Sequence, residues 1–232
     1  MQILALDAST ENCAVALGDG VSWRERSEIA GQRHSELLLP MIRALLAELG
    51  MTLAQVDGIA FGAGPGSFTG LRIACGVAQG LALGADLPVV GVSTLEAIAQ
   101  TRRDNSGGDR VIAAIDARMR EVYVGAYERD LGRWREVIAP VVVSPDAAPI
   151  PEGGEWIAAG GGFATYPSLF ARYGAAISER DPAVAPGATA VGKLALPRFA
   201  AGDGASARDA APIYIRHRVA LTVAERAAGM RQ

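Results

Sequence analysis

Residues 3–17 read ILALDASTENCAVAL, and residues 111–126 read VIAAIDARMREVYVGA. Each is an apolar run closed by Asp-Ala, then a short polar stretch, then an alternating apolar run. Asp7 and Asp116 hold the same place in the two copies. An apolar run bounded by turn residues and followed by period-two alternation predicts a β-hairpin, its first strand buried and its second half-exposed. Self-similarity at so long a spacing points to a duplicated architecture rather than a solenoid. The pattern predicts two related lobes, residues 1–105 and 106–232. They are joined near the polar, glycine-bearing stretch TRRDNSGGDR (101–110), and the last segment of the chain is expected to return to the first lobe.

Outward from the first hairpin, strands alternate with helices, the signature of an α/β protein. Residues 34–49, HSELLLPMIRALLAEL, carry Leu38, Met41, Ile42, Leu45 and Leu49 at helical spacing, and Leu37 and Leu46 widen that stripe. Pro40 predicts either a late start, near Leu39, or a kink. VDGIAF (56–61) reads as a short buried strand. After it comes the stretch FGAGPGSFTGLR (61–72), which runs into a helix over 69–84 with Ser67 or Thr69 as N-cap. Gly76, Gly80 and Gly84 recur every four residues and so share one helix face. Each costs the helix about 1 kcal/mol relative to alanine. The compensating gain is expected from close approach of another helix, in this chain or in a partner. LPVVGV (87–92) reads as the next strand and STLEAIAQTR as a helix capped by Ser93. In the second lobe, EWIAAGGGFATYPSLF (155–170) reads as strand, triple glycine and helix. GATAVGKLALPRFAAG (187–202) reads as helix as far as Pro197, and PIYIRHRVAL (212–221) as a strand with a basic centre. VAERAAGMRQ is compatible with a helix.

Half of the 232 residues are hydrophobic and 20% are charged, an ordinary globular composition. A net charge of −3 gives no global reason to bind nucleic acid unaided. The start MQILALDAST lacks a signal-type pattern, and no apolar run reads as membrane-spanning. Two cysteines, Cys13 and Cys75, are too few for a disulfide framework and read as small buried side chains. A cytoplasmic location is the expectation.

The glycine loop is neither a Walker A loop, since no Gly-Lys-Ser/Thr follows, nor a dinucleotide fingerprint, since Ser67 stands at the third glycine position. Two readings fit it: a sharp corner that starts a helix, and a set of amides facing an anion. Ser9, Thr10 and Ser67 are hydroxyl nucleophiles in type. However, His34 and His217 are the only imidazoles, and neither sits in a nucleophile motif. Two distant histidines and no cysteine pair give no local metal cluster. Asp7 and Asp116, at the ends of buried strands, suit a hydrated magnesium ion with a nucleotide phosphate, and Gly160, Gly161 and Gly162 suit the approach of an adenosine. Ordinary turn chemistry accounts for the same residues nearly as well.

Taken together, LALDASTENCAVAL, RHSELLLPMI, GPGSFTGLRIACGVAQGLA, PVVGVSTLEAIA, IDARMREVYVGAY and PIYIR resemble the bacterial TsaB (YeaZ) family of tRNA threonylcarbamoyladenosine biosynthesis. The resemblance is strongest from residue 2 to about residue 127. It implies an α/β actin-like ATPase (ribonuclease H-like) fold in two related lobes. It also implies a non-catalytic role as partner of the paralogous transferase TsaD, with the small ATPase TsaE in the larger complex, tRNA met only through the complex, and a homodimer when the chain is alone. In TsaD, two histidines of an Asn-His-Met-Glu-Gly-His stretch bind the metal; here Thr94 and Ile98 stand at those places, so no metal site is expected.

The resemblance places the partner interface on helices 34–49 and 69–84, through His34, Leu38, Met41, Ile42, Leu45, Arg72, Ile73, Gly76, Val77 and Gly80. It leaves Asp7, Ser9, Thr10, Asp116 and Gly160 to Gly162 as a degenerate nucleotide site, with weak ATP or ADP and magnesium binding or none. The alternatives are a metal-dependent peptidase of the glycoprotease type and a small-molecule kinase of the same fold.

Overall fold

Two five-stranded sheets form around the two hairpins. The computed structural model describes residues 1–216. β1 (Ile3–Asp7) pairs antiparallel with β2 (Asn12–Gly18), and β3 (Trp23–Ile29) continues outward from β2. On the other side of β1, β4 (Gly58–Gly64) and β5 (Val89–Ser93) run parallel to it, giving the order β3-β2-β1-β4-β5. The second sheet contains β6 (Arg110–Asp116), β7 (Val122–Asp130), β8 (Arg133–Val143), β9 (Trp156–Ala159) and β10 (Ile177–Asp181). Its order, β8-β7-β6-β9-β10, repeats the first strand for strand, including the switch from antiparallel to parallel pairing. Two mixed sheets of one topology, with flanking helices, make an actin-like fold.

The expected half-exposed second strand is corrected: β2 is buried along nearly its whole length. A third strand pairs outside it and takes the edge. That strand, WRERSEI, is exposed and charged, which discourages pairing with another sheet.

Alternation along β1 sends side chains to two layers. Leu4 and Leu6 pack with α1 (His34–Glu48) and α2 (Phe68–Ala85), whereas Ile3 and Ala5 pack with α6 (Ala188–Ala200). α3 (Thr94–Ser106) crosses to the second sheet, where Leu95, Ile98 and Ala99 meet Val111, Ala113 and Ile115 of β6. The far face of the second sheet is covered by α4 (Gly161–Thr165) and α5 (Ser168–Tyr173), through Phe163, Leu169 and Tyr173. α3 and α6 thus fill the space between the sheets and pack on each other.

Three local expectations change. The polar stretch 101–110 is not a linker: α3 runs through Ser106, and only Gly107 to Asp109 separate it from β6. Arg102 in that stretch is buried, held by the Gly107 carbonyl at 2.8 Å, by Asp181 at 3.2 Å and by Glu179. Its guanidinium ties α3 to the edge of the second sheet. The prolines do not end their helices: α1 starts at His34 with Pro40 inside it, and α6 continues past Pro197. A proline in a helix interior costs about 3 kcal/mol. Burial of Leu38, Ile42 and Leu45 below Pro40, at about 1.5–3 kcal/mol each, offsets that cost. Residues 212–216 form no strand. They lie alongside the first lobe, where the Ile213 N–H donates to the Ala63 carbonyl at 2.7 Å. His217, the rest of the expected strand and the segment VAERAAGMRQ lie outside the described residues.

Candidate functional site

The glycine-rich loop packs on the first hairpin's turn. The Ser67 N–H donates to the Ser9 carbonyl at 2.7 Å, and the Ser67 side chain caps α2 by accepting from the Gly70 N–H. A Cβ on Gly66 would lie 2.4 Å from the Ser9 carbonyl oxygen, and one on Gly70 would lie 1.9 Å from that of Ala8. These two glycines are needed because two backbones touch there. The loop is a corner that launches a helix, the first of its two readings.

Asp7 and Ser9, expected at a nucleotide site, are buried beneath that contact. This is a correction, because neither is exposed to a ligand. One Asp7 carboxyl oxygen accepts from the Ser9 N–H at 3.0 Å and from its hydroxyl at 2.8 Å, and a Cβ on Gly62 would fall 1.9 Å from the other. Burial outweighs these hydrogen bonds and raises the Asp7 pKa to about 7. Thr10 is half-buried; its hydroxyl accepts from the Asn12 N–H, and its carbonyl is 2.9 Å from Nε2 of His34.

In the second lobe Asp116 accepts from the Tyr166 hydroxyl and the Arg118 N–H, both at 2.9 Å, and pairs with the Arg118 guanidinium. The triple glycine is also corrected. A Cβ on Gly160 would meet the Ala114 carbonyl oxygen at 2.4 Å, and one on Gly162 the Ala114 carbonyl carbon at 2.7 Å. Those two residues let α4 sit on β6, and only Gly161 faces open space. Asp7, Ser9, Asp116, Gly160 and Gly162 are therefore engaged by their own chain, whereas Gly161 is open. Burial also pushes the Cys13 thiol up to about 11 and raises that of Cys75, which makes both poor nucleophiles.

Thr94 and Ile98 are fully buried, and Ile98 Cδ1 lies 3.3 Å from where a Cβ on Gly160 would stand. Among the described residues no three His, Cys, Asp or Glu side chains gather as metal ligands.

The outer surface of α1 and α2 is different in kind. Between them runs a groove of about 450 Å³, walled by Ser35 and Leu39 on α1 and by Arg72, Ile73, Val77 and Leu81 on α2. Gly76 and Gly80 line it as well, and beyond the backbone of α2 itself no atom lies within 4 Å of a Cβ built on Gly76, Gly80 or Gly84. The close approach that the glycine face implies is not made within the described chain. Ala74, Ala78 and Ala82 turn inward to the core. α2 is 18 residues long with a hydropathy of 1.2 over its span, so by length and composition it passes for a membrane span, contrary to the sequence reading. Its inner alanines make it a core helix with an uncovered apolar outer face.

The ten residues expected at the partner interface divide. Arg72, Gly76 and Gly80 are exposed, and Ile73 and Val77 are half-exposed in the groove. His34, Leu38, Ile42 and Leu45 are corrected: they point into the first lobe's own core, with Met41 packed beside them. An amphipathic stripe marks the face that folds inward, so the outer face of α1 belongs to the off-stripe residues. Leu39, 40% exposed, is the apolar one the stripe argument passed over.

The chain aligns over 226 residues, at 39% identity, with the tRNA threonylcarbamoyladenosine biosynthesis protein TsaB of Escherichia coli, covering 95% of this chain and 96% of that protein. The protein of the same name from Haemophilus influenzae is 40% identical over 228 residues, covering 94% and 95%.

The chain belongs to the TsaB family.

The solved structure of YeaZ from Pseudomonas aeruginosa superposes with a TM-score of 0.86 at 42% identity, covering 92% of this chain and 99% of that one. A family model described as "TsaD: tRNA N6-adenosine threonylcarbamoyltransferase" matches residues 26–201.

Proposed function

We propose that the chain is the non-catalytic partner and scaffold of the TsaD transferase in forming N6-threonylcarbamoyladenosine at position 37 of tRNAs that read codons beginning with A. The observation that carries this reading is the α1–α2 groove, whose glycines meet nothing in their own chain beyond the backbone of α2. A second helix pair seated there would form a four-helix contact. When the chain is alone, the same face serves a homodimer, since a self-complementary patch closes on a twofold axis. TsaE joins the larger complex, tRNA is met through it, and the assembly is cytoplasmic. We also read each lobe as ribonuclease H-like, on the shared strand order. On a sizing column with light scattering, a mixture with cognate TsaD is expected to give a stable one-to-one complex that replaces any homodimer. Two folded proteins that stay apart would overturn the reading.

The degenerate nucleotide site is read as a vestige. Asp7 lies under Gly62 and Asp116 is held by Tyr166 and Arg118, so magnesium would have to displace existing contacts at both. Calorimetric titration of the isolated chain with ATP and magnesium is expected to give no binding tighter than about 1 mM, a free energy of about −4 kcal/mol. A micromolar dissociation constant would restore the kinase alternative.

A further inference from the structure

The groove does not end at Arg72. The guanidinium of Arg72 lies 3.8 Å from the centre of the Phe68 ring and donates to the Tyr214 hydroxyl at 3.0 Å. The Phe68 and Tyr214 rings are 5.9 Å apart. Phe68 is 54% exposed and Tyr214 45%. Tyr214 belongs to the segment that leaves α6 and runs back along α2. There the Ala210 carbonyl accepts from Gln79 at 2.9 Å, and the Ile213 N–H is fixed to Ala63. Two residues beyond Tyr214 the strap reaches the other lobe. Arg216 pairs with Glu121 there and touches the Met119 sulfur at 3.0 Å. Met119, 49% exposed, sits at the centre of a turn in which Arg118, Met119 and Arg120 all have left-handed backbone, with φ of 61°, 54° and 59°. Left-handed geometry costs roughly 1–2 kcal/mol per non-glycine residue. The result is a continuous surface that starts in the groove, crosses the strap and ends on the second lobe.

We infer that the partner's footprint extends along this surface, so that the strap and the Arg118–Arg120 turn form a second arm of the interface, fitted to a protein carrying acidic side chains around an apolar contact. The inference rests on the reading that TsaD occupies the groove. Area supports it. The outer faces of a 15-residue and an 18-residue helix, rising about 1.5 Å per residue and packed about 10 Å apart, offer roughly 500 Å². A stable interface takes about 800 Å² from each partner. Composition supports it as well. Phe, Tyr, Met and Arg are the residues enriched at protein interfaces, and they are the ones this arm exposes. Its charge is positive: Arg72 and Arg120 have no carboxylate partner among the described residues, whereas Arg118 and Arg216 are paired with Asp116 and Glu121.

The test uses the full chain and cognate TsaD, with affinities measured at low and high salt. Tyr214→Ala with Met119→Ala is expected to weaken the complex at least tenfold at an unchanged melting temperature. Arg120→Glu is expected to weaken it severalfold at low salt and less at high salt. Met119→Ala alone, on an exposed side chain, serves as the check should the Tyr214 change loosen the strap. Unchanged affinity in all three variants, with Gly80→Arg still abolishing binding, would overturn the second arm and leave the groove reading standing. No binding by the wild-type chain would remove both. If Arg120→Glu instead lowers the affinity of the assembled complex for tRNA while TsaD binding holds, the arm faces RNA and the inference is wrong.

Discussion

Gly80→Arg is expected to reduce association with TsaD at least a hundredfold while the chain folds normally. Gly80 is exposed on α2, and beyond the backbone of α2 itself an added Cβ there meets nothing within 4 Å. Replacing an exposed glycine inside a helix by a good helix former favours the helix by about 0.5–1 kcal/mol, so the variant should melt at or slightly above the wild-type temperature. Bound, the same position lines the groove beside Val77 and Leu81. An arginine there fills the channel that the glycines leave for a facing backbone and places an unpaired charge in an apolar contact, which costs several kcal/mol. Gly70, on the same helix, is the opposite case. Its missing side chain makes room for the Ala8 carbonyl, so its glycine serves the fold and says nothing about partners. Binding by sizing and light scattering, with melting by circular dichroism, checks the prediction. A folded Gly80→Arg chain that still forms the complex would remove the groove from the interface.

The contrast between these glycines shows where the sequence could be read and where it could not. The two Asp-Ala hairpins were legible because strand burial and alternation are local, and their echo predicted the duplicated sheets. The third strands were harder. WRERSEI is an edge strand with charges on both faces, so its pattern carries no period-two hydrophobic signal. Residues 101–110 read as a connection because the stretch is polar and glycine-bearing; the burial of Arg102 within it depends on two carboxylates from β10, more than seventy residues away. On α1 the stripe was real but was assigned to the wrong neighbour. His34, Leu38, Ile42 and Leu45 fit a partner or a core equally well in sequence, and only the position of β2 decides between them. The glycine face of α2 was informative because glycine has no core-packing use on an exposed surface. Phe68 and Tyr214 lie far apart in the chain, and no pattern in the sequence linked them.

Asp7 carries the second large effect, and it is one of stability. Burial raises its pKa from an ordinary 3.8 to about 7. A carboxyl whose folded pKa exceeds its unfolded one favours the folded state fully below the unfolded pKa, and that contribution is lost as pH rises through the folded one. The wild-type chain should therefore lose stability between about pH 4 and pH 7. At 1.36 kcal/mol per pH unit this single group accounts for about 4 kcal/mol of the loss. Asp7→Asn keeps the shape, can exchange hydrogen bonds with the Ser9 hydroxyl and cannot ionise. Near pH 4 the variant should match the wild type; at pH 8 it should be more stable by several kcal/mol in urea unfolding. Glu96, also raised to about 7 by burial, leaves a residual slope of the same sign in the variant, so the informative quantity is the difference between the two curves. Parallel curves across the range would mean that Asp7 is hydrated in solution. A difference that widens between pH 4 and pH 7 would mean that the Asp7 carboxyl is buried in the first lobe's core beside Gly62, where ionising it costs stability.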